Sequence, residues 1–73
     1  MNELTEKQRM VMLAIEEYIK TNNYPPSVRE IGDMVGLSSP ATVQEHLNNL
    51  RDKGYIESDK HRYRSIRILK KVK

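Results

Sequence analysis

The first twenty residues carry apolar side chains at three- and four-residue steps, which is the spacing of an amphipathic helix. Thr5 and Gln8 have the spacing of a capping box, in which each side chain satisfies the free backbone N–H of the other residue. The chain turns polar at residues 21–23, so we expect the helix to end there. Its predicted inward face is Val11, Ala14, Ile15, Tyr18 and Ile19, widened by Met10, Met12 and Leu13.

A second, shorter helix is predicted directly after Pro25 and Pro26, which hold the chain extended. Ser27 and Glu30 form another capping-box pair at its start, and a glycine at position 36 ends it. Gly32 lies inside this helix, where glycine costs about 1 kcal/mol relative to alanine. Its presence therefore indicates close packing of another element. The predicted inward side chains are Val28, Ile31 and Val35.

Residues 38–54 carry the marks of both ends of a third helix. Ser38 or Ser39 can be the N-cap, Pro40 suits the first helical position, and Gly54 can close the helix in a left-handed conformation. The helix has an apolar back and a front of small and amide side chains, which suits the hydrogen-bond pattern of a DNA major groove. The back is Val43, Leu47 and Leu50; the front is Ala41, Gln44, Glu45, Asn48 and Asp52.

After the third helix the pattern changes to that of a β-hairpin. Residues 55–58 and 63–69 are predicted strands, joined by a four-residue polar turn, with Ile66 and Ile68 on one face. A hairpin is marginal alone in water, so it should pack on the helices. The predicted fold is mainly α: a winged helix-turn-helix of three helices and a two-stranded antiparallel wing over residues 1–69. Residues 70–73 are a basic tail or the start of a linker.

Composition narrows the possible functions. The chain has 73 residues and no cysteine, which allows one small domain without disulfides or thiolate metal sites. No nucleophile–base pair, metal-ligand spacing, membrane-length apolar run or signal peptide is visible, so we expect no enzyme, metal or cofactor and a cytoplasmic location. The charge is uneven: residues 51–73 hold nine Lys/Arg and three Asp/Glu, against four and seven in residues 1–50. Such a basic end favours phosphate contact, although a solvated tail explains the charge equally well.

Four segments carry side chains that a generic winged helix does not require: LTEKQ at 4–8, YPPSVREI at 24–31, SPATVQEHL at 39–47 and KGYI at 53–56. Together they resemble the N-terminal DNA-binding domain of LexA-type repressors, over nearly the whole chain. The resemblance implies that the third helix enters the major groove of double-stranded operator DNA. The implied base-reading residues are Ser39, Ala41, Thr42, Gln44 and Glu45, with Asn48 added from the same helix front. The implied backbone contacts are Thr5, Lys7, Gln8, Arg29, Arg51, Lys53, His61, Arg62 and Arg64.

Full-length members of this family repress DNA-damage (SOS) genes in bacteria and phages and bind DNA as homodimers. Their C-terminal domain cleaves itself through a Ser–Lys dyad when stimulated by RecA filaments. Neither that domain nor its cleavage segment is found in these 73 residues, so we expect no peptidase activity. RecA is an expected partner only if such a domain follows, and the chain is either an excised domain or a small regulator near the nucleoid.

Several positions have two interpretations. Glu45 can accept a hydrogen bond from cytosine or repel phosphate at wrong sequences, and Ser39 can be only a cap. Arg29 can contact phosphate or pair with an acid of its own helix, and His46 is more often a structural histidine than a metal ligand. A rival function is a winged helix, without an SOS role, whose third helix docks a partner protein, which the acidic residues 1–50 would permit.

Overall fold

The computed structural model describes residues 4–59, 62 and 64–71 and has the predicted winged helix-turn-helix architecture. Within these residues lie helices α1 (Glu6–Asn22), α2 (Val28–Val35) and α3 (Pro40–Asp52), followed by strands β1 (Ile56–Glu57) and β2 (Arg67–Ile68). The strands are antiparallel, with Ile56 opposite Ile68 and Glu57 opposite Arg67.

Most predicted helix ends are confirmed by their hydrogen bonds. Thr5 with Gln8, and Ser27 with Glu30, form reciprocal capping boxes at the starts of α1 and α2. Ser39, rather than its neighbour Ser38, caps α3 by accepting from the backbone N–H of Thr42. At the end of α3 the N–H groups of residues 54 and 55 donate to the carbonyls of residues 51 and 50, which is the Schellman pattern, and the glycine at 54 has a φ of +83°.

The core forms where the three helices meet the first strand and the chain leading into the second. The expectation that Met10 and Leu13 widen the inward face of α1 was wrong: they are 42% and 47% exposed. At about 100° per residue both lie on the opposite side of α1 from Val11 and Ile15. The buried apolar residues are Val11, Met12, Ile15, Ile31, Val35, Val43, Leu47, Leu50, Ile56 and Ile66.

Close packing at Gly32 is confirmed and fixes the angle of the helix-turn-helix. A Cβ atom at this position would lie 2.8 Å from the carbonyl oxygen of Leu37 and 3.3 Å from Cγ2 of Val43. The first neighbour belongs to the turn between α2 and α3, and the second to α3 itself. Because glycine has no side chain, α3 can approach α2 closely.

The wing differs from its prediction. Each described strand has two residues, and the connection between them is longer than the predicted four-residue turn, since its described residues alone are 58–59, 62 and 64–66. Within this connection Arg64 has a φ of +55°, which interrupts the extended conformation that alternation predicted. The hydroxyl of Ser65 accepts from the N–H of Asp59 and donates to its carbonyl, which closes the loop. Ile66 is buried and Ile68 half-buried against the core, as predicted.

Candidate nucleic-acid interface

Helix α3 presents the face that the sequence predicts. Val43, Leu47 and Leu50 are 1%, 2% and 0% exposed, so the apolar back of the helix lies in the core. On the other side Ala41 and Glu45 are exposed to solvent. Of the remaining predicted base-reading residues, Ser39 is exposed, whereas Thr42, Gln44 and Asn48 are half-buried.

The two amide side chains of the front form a pair. Nε2 of Gln44 donates to Oδ1 of Asn48 at 3.0 Å, one helical turn further along. This bond fixes the direction of the Gln44 amide before any ligand arrives. Oε1 and one N–H of Gln44, and the amino group of Asn48, take no part in this bond, so they have the capacity to bind a base edge together.

The start of α1 and the end of α3 meet through a buried glutamine. Oε1 of Gln8 accepts from Nζ of Lys53 at 2.9 Å and from the backbone N–H of Thr5 at 3.1 Å. Gln8 is only 5% exposed, so its side chain mainly holds Lys53 in place. The structure thus brings together three of the predicted backbone contacts. A direct phosphate contact by Gln8 stays a prediction.

Arg64, a predicted backbone contact, has a protein partner. Its Nη1 and Nη2 donate to the two carboxylate oxygens of Glu30 at 2.8 and 3.0 Å, and Nη1 also donates to the carbonyl of Pro25. The guanidinium holds the pKa of Glu30 at about 2, well below its usual value, with help from the N–H of Ser27. In return Glu30 raises the pKa of Arg64. The side chain of Arg64 is 25% exposed, and the implied phosphate contact is untested.

Other predicted backbone residues have cationic groups exposed at the edges of the front. In the described part of the chain, Arg29 and Arg62 are exposed and form no ion pair, so Arg29 does not bind an acid of its own helix. Arg51 has only a loose 3.8 Å contact with Asp52, and both side chains are solvated. Lys7 is half-buried near the start of α1. His61 lies outside the described residues.

A concave region of about 480 Å³ lies between the start of α2, α3 and the wing. Gln44 lines it on α3, Arg29 on α2 and Arg62 on the wing. Residues from three separate parts of the sequence therefore meet on one surface. Gln44, a predicted base reader, thus lines the same concave region as two cationic side chains that can bind phosphate.

Among the described residues, no group of three or more His, Cys, Asp or Glu side chains is placed to hold a metal ion. His46 is half-buried, and its Nδ1 has no hydrogen-bond partner within the same residues. None of the helices described is both long and apolar enough to span a bilayer.

Comparison with known proteins gives the family. The chain matches the family described as LexA DNA binding domain over residues 1–65. It is 50% identical over 70 residues to a LexA repressor of Desulfatibacillum aliphaticivorans, covering 96% of this chain and 34% of the relative. For LexA repressors of Staphylococcus aureus (strain Newman) and Thermobifida fusca the identity is 49%, covering 94% and 89% of this chain and 33% and 26% of the relative. The chain thus spans about a quarter to a third of their length. It belongs to the LexA DNA-binding domain family.

Proposed function

We propose that this chain binds double-stranded DNA sequence-specifically, as the DNA-binding part of a LexA-like transcriptional repressor of the SOS type. The observation that supports this most is the orientation of α3. Its apolar side is buried at Val43, Leu47 and Leu50, so its small and amide side chains face outward. A helix of this kind fits the major groove, where side chains can distinguish all four base pairs.

Base reading is assigned to the outward side of α3. The amide of Gln44 can bind adenine through N6 and N7, and its bond to Asn48 already restricts its orientation. The methyl groups of Ala41 and Thr42 can contact thymine, and the carboxylate of Glu45 can accept from cytosine. Ser39 remains available beside its capping role. Each good pairing is worth about 1–3 kcal/mol of discrimination between bases.

Affinity is assigned to cations around this helix. Arg29, Arg51, Lys53 and Arg62 lie at the start of α2, the end of α3 and the wing. Neutralising phosphates releases counterions, so binding should weaken steeply as salt rises. Thr5 and Lys7, at the start of α1, complete this set beside the end of α3.

Two copies are expected on one operator. Paired helix-turn-helix units bind half-sites separated by one or a few helical turns of DNA. The two copies are related by two-fold symmetry, which matches the two-fold symmetry of the site. We therefore propose a homodimer on DNA, with the protein at bacterial or phage DNA in the cytoplasm. Self-cleavage and response to RecA would belong to a further peptidase domain, so this domain by itself should not be an enzyme.

The experiment is selection of bound duplexes from a random pool, followed by titration. Fluorescence anisotropy should compare the selected duplex with a scrambled duplex of equal composition at two salt concentrations. We expect tighter binding of the selected duplex at both. Equal affinities would reject sequence-specific binding. Amide shift mapping with DNA should show changes at residues 41–48. Changes confined to the tail at residues 70–73, with none at 41–48, would instead favour a protein-interaction domain.

A further inference from the structure

We propose that Arg64 is a positioning residue, whose ion pair with Glu30 sets where the wing stands relative to α3 when both contact the same duplex. This inference rests on the proposed DNA binding and deepens it. It gives the wing arginine a different role from direct phosphate contact. The two residues are 34 positions apart in sequence, so their pair joins the wing directly to the first turn of α2.

The carboxylate of Glu30 accepts hydrogen bonds from three residues. It keeps its capping bond to α2 while binding the wing, so the same side chain orders two elements. Both of its oxygens receive charge-assisted bonds from one guanidinium, which is the geometrically most specific form of such a pair. Its donors are the N–H of Ser27 at 2.8 Å, Oη of Tyr18 at 3.1 Å, and Nη1 and Nη2 of Arg64 at 2.8 and 3.0 Å.

The guanidinium of Arg64 is also held from its other sides. Nη1 donates to the carbonyl of Pro25 at 2.9 Å, and the carbon of the guanidinium lies 4.8 Å from the ring centre of Tyr24. The rings of Tyr24 and Tyr18 pack edge to face, with their centres 5.7 Å apart. Because Tyr18 belongs to α1, this contact links the ring beside Arg64 to that helix. These contacts offset the cost of the positive φ at Arg64.

The hairpin itself cannot fix the wing. Its ladder has two residue pairs, and a two-stranded sheet of this size is marginal without support. The exposed Arg62 stands two residues before Arg64, in the loop that Ser65 closes onto Asp59. Releasing Arg64 from Glu30 would therefore release Arg62 from its place at the concave region that it shares with Gln44.

The test is a double-mutant cycle of Glu30→Gln and Arg64→Gln, read as affinity for the selected duplex. Glutamine at position 30 can still cap α2, because the capping box accepts Gln as well as Glu. We expect each single change to weaken binding by roughly fivefold, and the double change to weaken it no further than either single, since one interaction is lost in all three. The double variant also keeps the net charge, so its weaker binding could not be a charge effect.

A phosphate contact by Arg64 predicts the opposite pattern. Removing the Glu30 carboxylate near DNA would then strengthen binding or leave it unchanged, and only Arg64→Gln would weaken it. Arg64→Lys is a further variant that keeps the charge without the two-pronged geometry. Positioning predicts that it binds about as weakly as Arg64→Gln. Near wild-type affinity for the lysine variant would overturn the proposal.

The exposed pair Arg67 and Glu57 on the same hairpin is the matched control. Changing both to glutamine should alter affinity by less than about twofold, because exposed pairs contribute little. Circular dichroism and amide spectra establish that each variant is folded, and relaxation of residues 62–66 should show increased mobility only when the Glu30 pair is broken. If the wild-type chain itself shows no preference for the selected duplex, the proposed function fails; if it does and Glu30→Gln has no effect, only this inference fails.

Discussion

Nζ of Lys53 donates a hydrogen bond to Oε1 of Gln8 at 2.9 Å, across 45 residues of sequence. The same oxygen accepts the N–H of Thr5 that would otherwise be unpaired at the start of α1. One amide thus caps the first helix and orients a lysine at the end of α3. Folding of α1 and placement of the Lys53 ammonium group at the end of α3 are therefore coupled through a single buried side chain.

Gln8→Ala should lower both stability and affinity. The change removes the acceptor for Thr5 and Lys53 and leaves a small buried space, so the free energy of unfolding should fall by about 1–2 kcal/mol. Urea unfolding followed by circular dichroism measures this. Gln8→Glu keeps an acceptor oxygen for both donors, so its free energy of unfolding should remain close to that of wild type. Identical urea midpoints for wild type and Gln8→Ala would contradict the structural role of this side chain.

Gly32→Ala should destabilise the domain although alanine favours helices. The added Cβ would lie 2.8 Å from the carbonyl oxygen of Leu37, a backbone atom that cannot rotate away. Overpacking of this kind costs about 1–3 kcal/mol, which exceeds the gain of about 1 kcal/mol in helix propensity. The exposed neighbour Asp33 provides the control, since Asp33→Ala should change the free energy of unfolding by less than about 0.5 kcal/mol. A more stable Gly32→Ala variant would refute the close contact.

The helices could be predicted from the sequence because their signals are local. Capping boxes, the glycine after each shorter helix and the burial of Val43, Leu47 and Leu50 follow from residues within one or two turns of each other. The outward direction of the candidate base readers followed from the same periodicity. The prediction was wrong at Met10 and Leu13 because it followed their apolar character, whereas the helical period itself places both on the exposed side of α1.

The wing could not be predicted in the same way because its shape depends on distant contacts. Alternation predicted an extended strand through Arg64, but the Arg64 side chain forms an ion pair with Glu30 of α2 instead. The local pattern marks Glu30 only as a cap, and nothing near it in sequence indicates a partner 34 residues later. Likewise the pairing of Gln8 with Lys53 depends on two helix ends that only the folded chain brings together.

Lowering the pH should remove the contribution of the Glu30–Arg64 pair to the free energy of unfolding. The pKa of Glu30 is about 2 in the folded chain against a usual value of 4.5, so folding favours the ionised carboxylate. Its contribution is complete above pH 4.5 and is lost as the pH falls from about 4.5 to about 2, since the unfolded chain takes up the proton first. Urea unfolding between pH 6 and pH 2 should show that the free energy of unfolding falls less with decreasing pH for Glu30→Gln than for wild type.

The exposed carboxylate of Glu45 is the control for this measurement. Glu45→Gln should follow the wild-type profile, because no ion pair to Glu45 is formed among the described residues. Parallel pH profiles for wild type and Glu30→Gln would mean that the pair does not influence folding in solution.

Gln44→Ala should weaken binding to the selected duplex and relax preference at one base step. Loss of a two-bond contact with a base costs about 1–3 kcal/mol, or roughly 5- to 150-fold in affinity. Because Gln44 and Asn48 are hydrogen bonded, Asn48→Ala should affect the same base step, and the two changes should not be additive. Repeating the duplex selection with each variant identifies the position. Loss of preference at two independent steps would indicate that the two amides read separate bases.

Arg29→Ala and Arg62→Ala should reduce affinity for all duplexes rather than change their ranking. Each side chain is exposed and forms no ion pair in the described part of the chain, so each can neutralise one phosphate. The slope of log affinity against log salt should therefore fall by about one unit per variant. Lys20, exposed in the last turn of α1 at the opposite end from Thr5, is the matched control, and Lys20→Ala should keep the wild-type slope. If all three variants lowered the slope equally, general charge rather than a defined phosphate contact would account for the binding.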